Sequence, residues 1–259
     1  MTGNKRISII LPSYNDTRIE RAIKSVRRFD DTNIVKLIII DGGSNDDVTN
    51  LIQSLVTDDD VFITEPDKGI FDALNKGLER CDTDYIGWLG SDDLFTTEVL
   101  ASEVAGELEN CDLLVANLKF FHDGYVTRLT HSRPSGLGLM MLGLHNPHYA
   151  TFGRASLLKS ERFRLDLRGS DIEYFIKIFD RKPCVRTLDA VSTLQGEGGF
   201  SNNSGTNILR TNMELVSIFA EHSNWVLAPL AIIVKLNYKL LSKIYYMIFK
   251  TAIDEPLLE

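Results

Sequence analysis

The sequence predicts an α/β fold with a mostly parallel central sheet. Three observations predict it. Short apolar runs recur along the first ninety residues and carry almost no polar interruption, as buried strands do. Between them lie stretches whose apolar residues repeat at helical spacing. Each apolar run stops at a cluster of Gly, Pro, Ser, Asn or Asp, the residues that end strands and make turns.

Taken in order, Ile7-Ser8-Ile9-Ile10-Leu11 is the first strand, closed by Pro12. Ile19, Ala22, Ile23 and Val26 then mark a helix. Leu37 to Ile40 is the second strand, stopped by Asp41-Gly42-Gly43, and Val48, Leu51, Ile52 and Leu55 mark the next helix. Val61 to Thr64 is the third strand, ended by Glu65-Pro66. Ile70 to Leu78 reads as a helix and Tyr85 to Leu89 as the fourth strand. Another helix is expected near Thr96, and Leu113 to Phe121 is a further strand. Residues 131–148 are rich in Gly, Pro and His, as a loop over a site would be. Asp171 to Phe179 reads as a helix, and Gly196 to Gly205 as a Gly/Ser/Asn loop. Two parts are expected: a domain over 1–224, and an amphipathic basic C-terminal helix over 225–259.

Composition narrows the function. The chain has 259 residues and a net charge of −8, which argues against nucleic-acid binding. A bound nucleotide would need local positive charge, a metal or helix N-termini. The three cysteines, Cys81, Cys111 and Cys184, are widely spaced and form no C-x-x-C, so neither a disulfide framework nor a zinc site is expected. The N-terminus shows no apolar signal-peptide core, and no run is long enough to span a bilayer. A cytoplasmic location is expected.

In parallel sheets ligands gather at the C-terminal ends of the strands. The clusters Ser13-Tyr14-Asn15, Asp41 to Ser44, Glu65-Pro66-Asp67 and Gly90-Ser91-Asp92-Asp93 should therefore converge. The adjacent carboxylates of Asp92 and Asp93 repel unless a cation or hydrogen-bond donors intervene, and oxygen ligands suit Mg²⁺ or Mn²⁺. The alternative is an acidic cap on the helix near Thr96. Asp41 has a similar alternative, a strand-ending turn.

Several segments together resemble family 2 glycosyltransferases, which have the GT-A fold. They are ISIILPSYN (Ile7 to Asn15), LIIIDGGS (Leu37 to Ser44), EPDKGIFDALNKG (Glu65 to Gly77) and WLGSDD (Trp88 to Asp93). The resemblance continues through HNPHYATF (His145 to Phe152), GSDIEY (Gly169 to Tyr174) and GGFS (Gly198 to Ser201), covering about residues 6–205. It implies that Pro12, Tyr14 and Asp41 line a nucleobase pocket, with Asp67 beside the base or ribose. It implies that Asp92 contacts the ribose or sugar and that Asp93 ligates a divalent metal on the diphosphate. Ser91 stands where the family's D-x-D motif has its first acid, which leaves fewer carboxylates for the ion and suggests that the ion arrives with the donor. Asp171 aligns with the family's catalytic base, for which Glu173 and Asp166 are neighbouring rivals and a helix cap is the alternative. His148 is a candidate for the diphosphate or acceptor, or else structural. Lys76 reads as a solvated or helix-capping lysine, and Gly198-Gly199 as the pivot of a closing loop.

The segment over residues 225–250 pairs Lys235, Lys239 and Lys243, spaced i, i+4, i+8, with Leu236, Leu240, Ile244, Met247 and Ile248. Tyr238, Tyr245 and Tyr246 lie among them. This pattern fits a membrane-surface helix, and the alternative is a helix packed on the domain. The reading is an inverting, metal-dependent glycosyltransferase with a nucleotide-sugar donor, expected to be a UDP-sugar. Its expected acceptor is a polyprenyl-diphosphate-linked saccharide in cell-surface polysaccharide assembly, at the inner face of a bacterial membrane. The rivals are a sugar nucleotidyltransferase, which should carry a Gly-rich phosphate loop after the first strand, and a non-catalytic nucleotide-sugar-binding subunit.

Overall fold

The four apolar runs form the parallel half of one sheet, with Val61–Thr64 at its edge, in the computed structural model. It describes residues 5–132, 148–196, 213–218, 220–221 and positions 241, 244, 245, 248, 251 and 252. Strands β1 (Ile7–Ser13), β2 (Val35–Asp41), β3 (Val61–Thr64) and β4 (Tyr85–Trp88) are parallel and lie in the order β4-β1-β2-β3. The apolar continuity of β1, β2 and β4 follows from burial on both faces, whereas the edge strand β3 is half-exposed. Ile7, Ile9 and Leu11 join Leu37 and Ile39 in a core shared with α1 (Ile19–Phe29), α2 (Asp46–Leu55) and α4 (Ala101–Leu108). Ile10, Ile38 and Ile40 face the other way, toward α3 (Ile70–Arg80) and α6 (Ser170–Asp180). A Cβ on Gly77 of α3 would lie 2.4 Å from Ile10 Cγ2, so this glycine lets the helix reach the sheet.

One buried acid braces the central strands. Asp60 accepts from the backbone N–H of Leu37 at 3.0 Å, from the Thr57 N–H and hydroxyl at 2.8 Å each, and from Arg27 Nη2 at 2.5 Å. Burial raises its pKa, but the hydrogen bonds from Arg27 and Thr57 outweigh that and hold it below the usual carboxylate value.

The second half extends the sheet in mixed directions. β6 (Leu113–His122) pairs antiparallel with β8 (Thr151–Arg154), which also pairs antiparallel with β4 and so joins the two halves. β7 (Tyr125–Thr130) continues from β6 as a hairpin. β9 (Val185–Gly196) runs parallel to β6 and pairs antiparallel with the short β5 (Leu94–Phe95). A short helix α5 (Ala155–Leu158) follows β8.

Two expectations need correcting. No helix begins near Thr96; Leu94–Phe95 is a strand, and the helix starts at Ala101. The Thr96 hydroxyl instead donates to the Val191 carbonyl and belongs to the β5–β9 junction. The tail is not helical throughout, because Thr251–Ala252 forms β10, antiparallel to β7. That pairing supplies partners to backbone groups on an edge strand. Residues 213–218 are helical, with Leu215 and Ile218 buried in the core that contains α6. Positions 241, 244, 245 and 248 are helical as well. Among the described residues no helix is long and apolar enough to cross a membrane.

Candidate functional site

The loops after β1, β2, β3 and β4 interlock at one edge, as parallel strands in this order require. The Asn15 N–H donates to Ser44 Oγ at 2.7 Å, and the Asn45 N–H donates to Asn15 Oδ1 at 2.9 Å. Asp67 presses against Gly42, where a Cβ would lie 2.8 Å from Asp67 Oδ2. The Ser91 hydroxyl donates to Asp16 Oδ2 at 2.7 Å, which ties the last loop to the first.

Asp41 sits beneath these loops, fully buried. Its Oδ2 accepts from the N–H groups of Gly43 and Ser44 and from the Thr64 hydroxyl, and its Oδ1 accepts from the Ser44 hydroxyl. The turn role is therefore observed. Pro12 is buried beside it, and Tyr14 projects into solvent with 65% exposure. Asp67 also accepts from the Gly69 N–H at 2.7 Å. Lys76 pairs with Glu65 at 2.8 Å and Asp72 at 3.5 Å.

Asp92 and Asp93 cap no helix, since the next one begins at Ala101. Asp93 is 1% exposed; its Oδ1 accepts from the Gly196 N–H at 3.0 Å, while its Oδ2 is buried without a hydrogen-bond partner. Beside that oxygen the structure leaves a small cradle at Gly90. A Cβ there would lie 2.6 Å from Asp93 Oδ2 and 3.2 Å from Asp92 Oδ1. Burial, then the neighbouring Asp92 charge, pushes the Asp93 carboxyl well above its usual pKa. Burial raises Asp92 too, opposed by Arg18.

Two carboxylate oxygens converging on one small space, one of them lacking any donor, fit a hard divalent cation. Among the described residues no group of three His, Cys, Asp or Glu is placed to hold a metal. The remaining ligands of such an ion would have to come from elsewhere, as from the oxygens of a diphosphate.

Next to this pair lies a cation not anticipated from the sequence. Arg18 holds Asp16 through Nε at 2.8 Å and Nη2 at 3.0 Å, and its Nη1 lies 3.5 Å from Asp92 Oδ2. Burial would raise Asp16, but hydrogen bonds from Arg18 and Ser91 outweigh it and lower its pKa. Both residues follow the first strand, in a loop that the family motifs quoted above leave out.

The other wall comes from the second half. His148 and Tyr149 lie in a short 3₁₀ turn before β8, and Asp171 is in the first turn of α6. His148 Nδ1 is 3.5 Å from Asp171 Oδ2. Desolvation lowers the His148 pKa, with Asp171 opposing. The Tyr149 hydroxyl is pushed well above its usual pKa by burial and then by the charges of Asp93, Asp92 and Asp171. The charge of all three carboxylates is thus felt at Tyr149, a residue that sequence reasoning had passed over.

Asp171 makes no side-chain cap, and Gly169 holds the N-cap position of α6. The rival acids are engaged elsewhere. Glu173 is 3% exposed, with Oε1 held by Lys177 at 3.0 Å and Arg164 at 3.5 Å, and Asp166 pairs with Arg164 at 2.7 Å. His145 to Pro147, Gly198 to Ser201, and the tail lysines Lys235, Lys239 and Lys243 lie outside the described residues. So do Leu236, Tyr238, Leu240, Tyr246 and Met247.

Comparison with known proteins gives this geometry a setting. The family model described as glycosyl transferase family 2 matches residues 8–165. An uncharacterized glycosyltransferase of Mycobacterium tuberculosis is 35% identical over 180 residues, which is 68% of this chain and 66% of that protein, so the chain spans just under two thirds of its length. A PGL/p-HBAD biosynthesis glycosyltransferase of Mycobacterium bovis is 28% identical over 209 residues, 75% of this chain and 78% of that one. Among solved structures, S. aureus TarS 1–349 in complex with UDP-GlcNAc superposes with a TM-score of 0.66 at 16% identity, covering 98% of this chain and 78% of that one. The mannosyltransferase PcManGT from Pyrobaculum calidifontis, in complex with GDP-Man and Mn2+, gives 0.61 at 16% identity, covering 96% and 75%. These likenesses show the fold, a GT-A-like α/β arrangement.

Proposed function

The chain belongs to glycosyl transferase family 2, and from that premise we propose that it transfers a sugar from a nucleotide-sugar donor, a UDP-sugar, to a saccharide acceptor with inversion. The observation that carries the reading is the Gly90 cradle, where buried Asp93 Oδ2 has no partner and Asp92 Oδ1 stands beside it. UDP-GlcNAc in TarS, and GDP-Man with Mn2+ in PcManGT, support a nucleotide-sugar as the donor.

In this reading Tyr14 stacks on the base, Pro12 forms the pocket floor, and Asp67 lies at the base or ribose. Asp41 keeps its place in the pocket through Oδ1, whose donor is the Ser44 hydroxyl, a group that can rotate away. Asp92 addresses the ribose or sugar. Asp93, with the donor's diphosphate, would hold Mn²⁺ or Mg²⁺, an ion that offsets charge developing on the departing nucleotide. On the opposite wall Asp171 takes the proton of the acceptor hydroxyl as that oxygen attacks the anomeric carbon, and His148 lies beside it. Glu173 is poorly suited to that task because it is 3% exposed and its Oε1 is held by Lys177 and Arg164, although its Oε2 is buried without a partner.

We assign the tail to a membrane surface and the acceptor to a polyprenyl-diphosphate-linked saccharide. Leu241, Ile244, Tyr245 and Ile248 are exposed, with Leu241 at 66% and Ile248 at 65%, and their i, i+3, i+4, i+7 spacing makes one apolar stripe. In the sequence Lys235, Lys239 and Lys243 accompany it, which suits an anionic inner leaflet.

The experiment is a thermal-shift panel of nucleotide sugars with and without Mn²⁺, followed by donor-hydrolysis assays on the hits. A bound donor raises the melting temperature by mass action. Stabilisation by a UDP-sugar that grows with Mn²⁺, together with slow Mn²⁺-dependent hydrolysis, is the expected outcome. Binding without any hydrolysis or transfer would replace this reading with that of a non-catalytic sugar-nucleotide binder.

A further inference from the structure

Arg18 stands between two loops that the carboxylate pair depends on. Asp16 fixes its guanidinium from one side through two hydrogen bonds, at 2.8 and 3.0 Å, and is itself held by Ser91 Oγ. The remaining nitrogen, Nη1, reaches Asp92 Oδ2 at 3.5 Å. The oxygens facing the Gly90 cradle are different ones, Asp92 Oδ1 and Asp93 Oδ2. Arg18 therefore shares Asp92 with the cradle without filling it. Its side chain is 51% exposed, so Nη1 can swing toward a ligand at the mouth of the site while Asp16 holds the other two nitrogens.

A fixed cation this close has opposite effects on two ligands. It repels a second cation from the carboxylate pair and attracts a diphosphate. Guanidinium also matches phosphate oxygens as a planar fork, which an ammonium does not.

We propose that Arg18 is the element that makes metal and nucleotide diphosphate bind cooperatively. Without nucleotide it rests on Asp92 and weakens the hold of the carboxylates on a free divalent ion. When a diphosphate arrives, Arg18 turns from Asp92 to a phosphate oxygen, so its charge no longer opposes an ion at Asp93 beside Asp92. Asp16, hooked by Ser91, is the pivot of that turn and occupies the region where the motif's first acid is missing. The inference rests on the donor-site reading above and adds the residue that orders its two ligands.

The test uses the full chain and equilibrium binding, with no turnover required. Mn²⁺ alone is titrated by the EPR signal of the free ion, UDP alone by calorimetry, and Mn²⁺ again at saturating UDP. In wild type, UDP should tighten Mn²⁺ binding by a factor within the usual span of coupling between sites, about 5–150-fold. In Arg18→Gln, Mn²⁺ alone should bind at least about fivefold tighter, UDP alone at least about fivefold weaker, and the coupling factor should shrink by a similar amount. Arg18→Lys, which keeps the charge without the fork, should fall between, and it guards against a folding defect peculiar to the glutamine variant. Unchanged or weaker Mn²⁺ binding in a folded Arg18→Gln protein, or an undiminished coupling factor, overturns the proposal while leaving the donor site in place. Wild-type protein that binds neither Mn²⁺ nor UDP removes the donor-site reading itself.

Discussion

His148 Nδ1 and Asp171 Oδ2 lie 3.5 Å apart, joining the turn before β8 to the first turn of α6. The proton relation between them has a direction. Desolvation lowers the imidazole pKa, so His148 is neutral at pH 7 and does not hold Asp171 in an ion pair. Protonating His148 would place a cation against the proposed base.

Replacing Asp171 by Asn should lower turnover by at least ~10² with little change in donor affinity, as loss of a general base does. Steady-state rates beside calorimetry with UDP would check this. His148→Gln should leave UDP affinity near wild type and remove the part of the acidic activity limb that lies below the ordinary His pKa of about 6.5. A pH–rate profile identical to wild type would deny His148 that part. An equal loss of turnover in Glu173→Gln, with Asp171→Asn unimpaired, would move the base to Glu173.

Asp93→Ala should abolish Mn²⁺-dependent transfer without lowering the melting temperature of the metal-free protein. The mutation removes a buried carboxylate, one of whose oxygens has no hydrogen-bond donor, and relieves its repulsion with Asp92. Melting curves and rates with and without Mn²⁺ decide it. Wild-type turnover with Mn²⁺ would end the assignment of Asp93 to the metal.

Gly90→Ala should impair Mn²⁺ binding although glycine carries no functional group. Its Cβ would stand 2.6 Å from Asp93 Oδ2, so the carboxylate must shift against the Gly196 N–H that holds its other oxygen. We expect loss of Mn²⁺-stimulated UDP binding, with UDP binding in the absence of metal retained. Calorimetry separates the two.

Asp60→Asn should destabilise the domain by roughly 1.5–3 kcal/mol at neutral pH, the scale for hydrogen bonds to a charged group, since Arg27 is about a third exposed. The pKa of Asp60 is depressed in the folded protein, so its contribution is complete above the unfolded-state value of about 3.9 and disappears as pH falls through the lower folded value. The difference between mutant and wild type in urea melts should therefore be constant near neutrality and shrink in acid.

Replacing Lys235, Lys239 and Lys243 by Gln should remove salt-sensitive flotation with anionic vesicles, each lysine contributing about 1 kcal/mol near such a surface. Charge removal is a cleaner test than truncation after 224, because β10 pairs with β7 and its loss would expose a sheet edge. Wild-type protein that fails to float at low salt would return the tail to the domain surface.

The parallel half was legible in the sequence because β1, β2 and β4 are buried on both faces. Such strands read as unbroken apolar runs, and their ends announce the loops that meet. β9 escaped notice for the opposite reason: Val185 to Ala190 is half-exposed and carries Arg186 and Asp189, leaving little apolar signal before Val191. The error at Thr96 arose because Asp92-Asp93 before an uncharged stretch looks like a helix start, whereas Leu94 and Phe95 are drawn into pairing with Leu194 and Thr193 about a hundred residues on. Asp92, Asp93 and Asp171 could be named from motif order. Arg18, Asp16 and Tyr149 could not, since their importance comes from which charges they face, and that is a property of the folded chain.

The bond from the Gly196 N–H to Asp93 spans 103 residues, and this sets an order of assembly. Domains tend to fold N-terminal part first as synthesis proceeds, at about 5–20 residues per second. The loops after β1 to β4 can therefore emerge and knit together roughly 5–20 seconds before Gly196 leaves the ribosome. During that interval Asp93 lacks both its backbone donor and the β9 strand that covers it. In the proposed reading a nascent chain thus has its nucleotide-facing surface before arrival of β9 finishes the metal-facing one.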